Sequence, residues 1–260
     1  MKLKHRLALI TGGGRGIGRA IALAFAEEGA DIAVAARTLA QVESVAQEIA
    51  TQFPVKVLPV VCDVSDVRSV EQMFSRATEF FGRGPDILVN NAGIAESAPI
   101  TKTNDELWQK HLAINLSGSF YCTRAALPAM LARGWGRIIN VASIAGKTGA
   151  PYIAAYSASK HGLLGLMRST ALEVAAKGIT ANAICPGYVD TEMTTRGVEN
   201  ITKKTGRSAE EALAAIRKMS PQDRLVTAEE VAALALLLAS DAGGAINGQA
   251  INVDGGSVLF

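Results

Sequence analysis

The stretch that most constrains this chain is Thr11-Gly12-Gly13-Gly14-Arg15-Gly16-Ile17-Gly18, because of what lies on either side of it. Residues 7–11 form a short apolar run of strand character, and residues 17–28 carry apolar side chains at helical spacing up to Gly29, a natural end for a helix. A glycine-rich turn on its own is common. Between a strand and a helix it lets the backbone turn tightly and approach a pyrophosphate, which the free N–H groups and dipole of the helix N-terminus then hold. The expectation is a dinucleotide site on a strand–helix unit.

The chain goes on repeating that unit. Strand-like runs at 31–36, 56–61 and 87–90 alternate with helical patterns at 39–52 and 67–81. Thr103-Asn104-Asp105-Glu106 has the form of a capping box opening a helix over 103–131, whose last turn Pro128 is expected to bend or end. A strand at 137–141, a helix at 154–176 and a strand at 180–184 follow. Thr227 and Glu230 open a helix to about Leu238, and a strand at 250–253 precedes Gly255-Gly256. Such alternation predicts a parallel sheet with helices on both faces. At 260 residues and 49% hydrophobic content, a single dinucleotide-binding domain spanning 1–260 accounts for the chain. The long departure is 190–220, where only 209–219 reads as helix, behind the capping pair Ser208 and Glu211. That segment is the candidate substrate loop or lid.

Charge and cysteine usage exclude several classes. A net charge of +2, with no run of five like charges, gives no reason to expect nucleic acid or a membrane as partner. Cys62, Cys122 and Cys185 are scattered through apolar runs, which suits reduced, buried thiols rather than disulfides or a metal site, and with them a cytoplasmic protein. The opening residues run straight into the first strand, without a signal-peptide core or a membrane span.

The end of the second strand bears on the cofactor. An acid there accepts from the 2′-hydroxyl of NAD, whereas a cation accommodates the additional phosphate of NADP. Ala36 is followed here by Arg37, with Arg15 in the glycine loop as a second cation, so NADP (NADPH) is favoured; NAD without a carboxylate clamp is the alternative. Asp63 and Val64, just past the third strand, are also assigned to the cofactor. The Asp63 carboxylate suits the adenine amino group, the cap of the next helix, or both.

Tyr156-Ser157-Ala158-Ser159-Lys160 sets a phenol and an ammonium four residues apart on one helix face. A neighbouring ammonium favours the phenolate and draws a pKa of about 10 toward neutrality, which suits proton transfer to or from a substrate oxygen. The same spacing also occurs on a solvated helix face.

Together the motifs resemble the short-chain dehydrogenase/reductase family. The likeness spans essentially the whole chain, from Thr11-Gly12-x-x-x-Gly16-x-Gly18 through Asn90-Asn91-Ala92-Gly93, Asn115, Ser143, Tyr156-x-x-x-Lys160 and Pro186-Gly187 to Asp254-Gly255-Gly256. It implies a Rossmann-type, doubly wound sheet of seven strands and hydride transfer between a nicotinamide and an alcohol or carbonyl carbon. It also implies a catalytic tetrad of Asn115, Ser143, Tyr156 and Lys160. Tyr156 would be the acid in reduction and the base in oxidation, with Lys160 lowering its pKa and holding the nicotinamide ribose. Ser143 would donate to the substrate oxygen, and Asn115 would position a water between Lys160 and solvent. Gly12, Gly16, Ile17 and Gly18 would cradle the phosphates. Asn90, Ala92 and Gly93 would lie beside the cofactor, with Asn91 bracing the sheet, while Pro186, Gly187, Val189 and Thr191 would meet the carboxamide and phosphates. Members are usually tetramers or dimers built through helices equivalent to 103–131 and 154–176, so a homotetramer is expected.

Among members the chain looks most like 3-oxoacyl thioester reductases and hydroxyacyl dehydrogenases. Acyl-carrier-protein reductases carry arginines where Pro128 and Leu172 stand here, so a 3-oxoacyl-CoA, free ketone or β-keto acid fits better than a carrier-bound substrate. Ile144, Lys147, Tyr152 and Tyr188 are candidate pocket walls, and Arg196, Lys203, Lys204 and Arg207 either attract an anionic substrate or form a solvated face. His161 has no acid placed to orient it, and Met167, Met193 and Met219 are expected to pack. Two other readings stay open: an NAD-dependent dehydrogenase of a small hydroxy acid or secondary alcohol, and a non-catalytic nucleotide-sensing scaffold.

Overall fold

The computed structural model covers residues 1–260. Seven strands form one sheet: β1 (Leu7–Thr11), β2 (Asp31–Ala36), β3 (Val57–Val61), β4 (Ile87–Asn90), β5 (Gly136–Val141), β6 (Ile179–Pro186) and β7 (Ala250–Val253). Their order is β3-β2-β1-β4-β5-β6-β7, and every neighbouring pair is parallel. Parallel neighbours need crossovers, and these are the helices α1 (Gly16–Glu27), α2 (Leu39–Gln52), α3 (Val67–Phe81), α4 (Asp105–His111), α5 (Gly118–Arg133), α6 (Ala154–Val174), α7 (Glu192–Thr205), α8 (Ala209–Arg217) and α9 (Ala228–Ala239).

Both faces of the sheet are covered, so β1, β4 and β6 are buried along their whole length, and β1 and β4 read as near-continuous apolar runs rather than alternating ones. Successive side chains feed opposite cores. Ile10 and Val89 join Phe25, Ile49 and Leu238 from α1, α2 and α9, while Leu9 and Leu88 join Met73, Met130 and Met167 from α3, α5 and α6. Pro59 lies in β3, where an edge position tolerates the missing N–H. Cys62, Cys122 and Cys185 are buried and unpaired. No helix is long and apolar enough to cross a membrane.

The structure differs from the sequence reading in two regions, the helix over 103–131 and the 190–220 segment. The helix over 103–131 starts one residue later than a Thr103 cap implies: Asn104 accepts from the Leu107 N–H at 2.9 Å, while the Thr103 hydroxyl bonds the Pro99 carbonyl. It is also interrupted by a π-helical turn, Leu112–Ser117, between α4 and α5. Pro128 does not end it, because Ala126 and Met130 are locked in the core and the helix runs on to Arg133 before Gly134 in a left-handed conformation. In the 190–220 segment, α7 had no counterpart in the sequence reading. Its sequence is polar, with Gly197 inside and a narrow apolar stripe of Val198 and Ile201 that packs on Ala212, Leu213 and Ile216 of α8, apart from the two main cores. The capping boxes Ser208–Glu211 and Thr227–Glu230 are formed.

Candidate active site

Strand order reverses between β2-β1 and β4-β5, so the connections leave the carboxyl ends of β1 and β4 in opposite directions and open a crevice there. The glycine loop forms one wall. Gly12 holds φ at +63°, and a Cβ on Gly18 would lie 2.3 Å from the Gly12 carbonyl oxygen, so the turn closes only without side chains at both. The resulting cleft has a volume of about 250 Å³. Of the residues assigned to the cofactor, Gly12, Arg15, Gly16, Ile17, Arg37, Asp63, Val64, Ala92, Gly93 and Thr191 line it. Gly93 connects this cleft with the tetrad: a Cβ there would sit 3.2 Å from Asn115 Oδ1 and 3.6 Å from Lys160 Nζ. A glycine turn at a helix N-terminus and a bare backbone beside Lys160 fit a nicotinamide dinucleotide.

Several residues assigned to the cofactor instead support the cleft from behind. Asn90 is buried, and its side chain donates to Thr123 Oγ1 and Asn140 Oδ1, tying β4 to α5 and β5. Asn91 lines the cleft, and its amide holds the loop through the Thr11 and Gly12 carbonyls at 2.9 and 3.0 Å. Asn91 thus braces the sheet as expected while also lining the cleft, whereas alternation along β4 turns Asn90 into the core. Pro186 is buried at the end of β6, Gly187 donates to the Val253 carbonyl, and Val189 forms a bridge with Val226; of this segment only Thr191 reaches the cleft. Asp63 does not cap α3. Asp66 does, while Asp63 Oδ1 accepts from the backbone and hydroxyl of Ser65. Met167 is core, but Met193 lines the cleft and Met219 is exposed.

The tetrad is assembled where β5, α6 and the π turn meet. Ser143 follows β5 and caps a tight turn over Ile144–Gly146, accepting from the Ala145 N–H at 3.1 Å, which leaves its own O–H to donate. Gly146 allows this turn against α6, since a Cβ there would meet the Lys160 carbonyl at 2.9 Å. Lys160 is buried and donates to the Val141 carbonyl at 2.8 Å. Asn115 is fully buried by the π turn, its Oδ1 accepting from the Ile94 N–H and its amide donating to the Ile94 carbonyl and Ser159 Oγ. Its side chain clamps residue 94 to α6. Tyr156 is half-buried, with His111 edge-on to its ring at 6.4 Å.

Burial dominates the electrostatics. Desolvation pushes the Tyr156 phenol above its usual range, and the Ser143 hydroxyl pulls the other way. Desolvation brings Lys160 itself down to about 8. Around them, Tyr152 and Tyr188 are exposed, and Tyr152 holds φ at +68° with its carbonyl accepting from the Ala98 N–H.

The family model described as enoyl-(acyl carrier protein) reductase matches residues 12–257. The chain is 42% identical over 262 residues to the D-beta-hydroxybutyrate dehydrogenase of Cupriavidus necator, covering 98% of this chain and 99% of that protein. It is 37% identical to the 3-oxoacyl-(acyl-carrier-protein) reductase of Thermotoga maritima over the full length of both. The crystal structure of a variant actinorhodin polyketide ketoreductase with NADPH superposes with a TM-score of 0.94 at 38% identity and 98% coverage of each chain. The chain belongs to the short-chain dehydrogenase/reductase family.

As a short-chain dehydrogenase/reductase it is an oxidoreductase that interconverts a carbonyl and an alcohol with NAD(P) as cofactor. Within this family site, sequence reasoning missed Thr38, Gln41, Ile94, Ile114 and Glu192, all of which line the cleft. Glu192 carried a readable signal, an acid in the first turn of a helix, but the helix itself was hidden by its polarity.

Proposed function

We propose that this chain is an NADP(H)-dependent reductase of 3-oxoacyl thioesters or related β-keto compounds. One observation carries the reading: a single cleft runs from Arg37, an exposed arginine at the end of β2, to Gly93, the bare backbone beside Lys160. Arg37 supplies the cation that a 2′-phosphate needs. The names of both curated relatives share an oxygen on the β-carbon of an acyl group, which supports the substrate class.

When bound, the dinucleotide supplies or accepts the hydride. The protein's part is proton movement and positioning. Tyr156, like any phenol, carries its proton at neutral pH, and burial favours that form further, so it donates to the substrate oxygen in reduction and takes the proton back in oxidation. Ser143 adds a second donor to that oxygen, where negative charge develops. Lys160 remains an ammonium below about pH 8 and favours charge on the phenol oxygen as the proton leaves. Asn115 acts by position, holding Ile94 and Ser159 against the reacting groups. The chain acts as one catalytic domain, with 190–220 as its lid. Phe120, Leu131 and Leu172, exposed on α5 and α6, support assembly into a homotetramer through these helices. Leu172 and Pro128 also favour a CoA thioester or free β-keto acid over a carrier-bound substrate.

The test is a substrate panel with NADPH and NADH, including acetoacetyl-CoA, acetoacetate, a 3-oxoacyl carrier protein and small hydroxy acids. The highest kcat/KM is expected for NADPH with acetoacetyl-CoA or acetoacetate. Turnover confined to NAD with hydroxy acids would replace this reading with the dehydrogenase one, and no turnover with any pair would favour a scaffold.

A further inference from the structure

The glycine loop sets Arg15 between two neighbourhoods. On one side Gly14 abuts α2, where a Cβ would fall 2.8 Å from the Cβ of Gln41, in the corner that also holds Arg37. On the other, Gly16 abuts the start of α7, where a Cβ would fall 3.3 Å from Cγ2 of Thr191. Arg15 takes the second side. Its guanidinium pairs with Glu192, the first residue of α7, so an ion pair crosses from the glycine loop to the lid segment. Arg37 and Arg196 line the same cleft without a carboxylate partner. Glu192 is therefore the one acid paired with any of the three arginines that line the cleft.

We infer that Glu192 sets the cofactor selectivity of this enzyme by withholding Arg15 from the 2′-phosphate of the adenosine ribose. The inference rests on the NADP(H) reading above and goes beyond it. A phosphate in the Arg37 corner gains charge-assisted hydrogen bonds from Arg15 only when Arg15 leaves Glu192. The phosphate thus competes with a carboxylate that also repels it. Both paired side chains are well exposed, at 41% and 61%, so the pair tunes affinity without blocking the site. A ribose without the phosphate offers Arg15 no alternative anion, so the pair stays closed and Glu192 leaves its affinity alone.

Isothermal titration of the whole protein with 2′,5′-ADP and 5′-AMP tests this. Glu192→Gln is expected to bind 2′,5′-ADP about 5-fold more tightly than the wild type, with 5′-AMP unchanged. In an Arg15→Gln background most of that gain should vanish, because the effect passes through Arg15. Unchanged or weaker 2′,5′-ADP binding in Glu192→Gln overturns the inference, as does an equal gain for 5′-AMP or a full gain without Arg15. A wild type that binds both probes alike, with Arg37→Asp no different, overturns the NADP(H) reading itself. A wild-type preference for 2′,5′-ADP that Glu192→Gln leaves unaltered overturns the role of Glu192 alone.

Discussion

Lys160 and Tyr156 stand one turn apart on α6, yet Lys160 Nζ bonds the Val141 main-chain oxygen at 2.8 Å and lies 5.8 Å from the centre of the Tyr156 ring. The pair shares burial rather than a hydrogen bond, and burial moves a phenol and an ammonium in opposite directions. The phenol stays protonated and the ammonium keeps its charge up to about pH 8.

A pH profile follows from that arrangement. For carbonyl reduction, kcat/KM should hold from neutrality to about pH 8 and fall above it as Lys160 loses its proton. Lys160→Arg keeps its charge throughout, so its alkaline limb should move upward by about one pH unit or more even if the rate drops. An unmoved limb assigns the titration to another group.

The same shift has a thermodynamic sign. Lys160 binds its proton less tightly folded, at about 8, than at its ordinary 10.5, so the unfolded chain holds more protons in that window. Wild-type stability relative to Lys160→Met should therefore rise from pH 8 to 10.5, by about 3 kcal/mol at most. Denaturant melts of both proteins across that range check it, and a constant difference contradicts a buried ammonium.

Arg37→Asp replaces the phosphate-binding cation with a ribose-binding acid. The ratio of kcat/KM for NADPH over NADH should fall by about 10- to 100-fold, with little change in thermal stability because Arg37 is exposed. An unchanged ratio removes Arg37 from cofactor recognition.

Two glycines separate cleft from scaffold. Gly93→Ala places a methyl 3.2 Å from Asn115 Oδ1 and 3.6 Å from Lys160 Nζ, so Asn115 must give by a few tenths of an ångström while the methyl enters the cleft. Its Tm should stay near the wild type while cofactor affinity falls about 10-fold or more. Gly18→Ala drives a Cβ to 2.3 Å from the Gly12 carbonyl oxygen and should cost about 1–3 kcal/mol, several degrees in Tm, as well as cofactor binding. Equal effects of the two on stability would contradict this division.

Much of this was legible in the sequence because local and global preferences agree. The apolar strands, the glycine turn and the capping boxes at Ser208 and Thr227 each form where their residues require. What was not legible depends on tertiary contacts. The stripe of Val198 and Ile201 becomes a helix face only when α8 covers it, and the π turn that buries Asn115 has no signature in a pattern of period 3.6. Asn90 and Asn91 are adjacent in sequence, and only the facing of β4 decides which one meets the cofactor cleft.

The central claim is that the Tyr156 hydroxyl moves the proton in a site that binds NADP(H) independently of it. Turnover and NADPH binding of Tyr156→Phe, measured side by side with acetoacetyl-CoA or the best substrate of the panel, test it most directly. The expected result is a fall in kcat of about 10³-fold or more with NADPH affinity within about 3-fold of the wild type. Retained turnover with normal NADPH binding would contradict it.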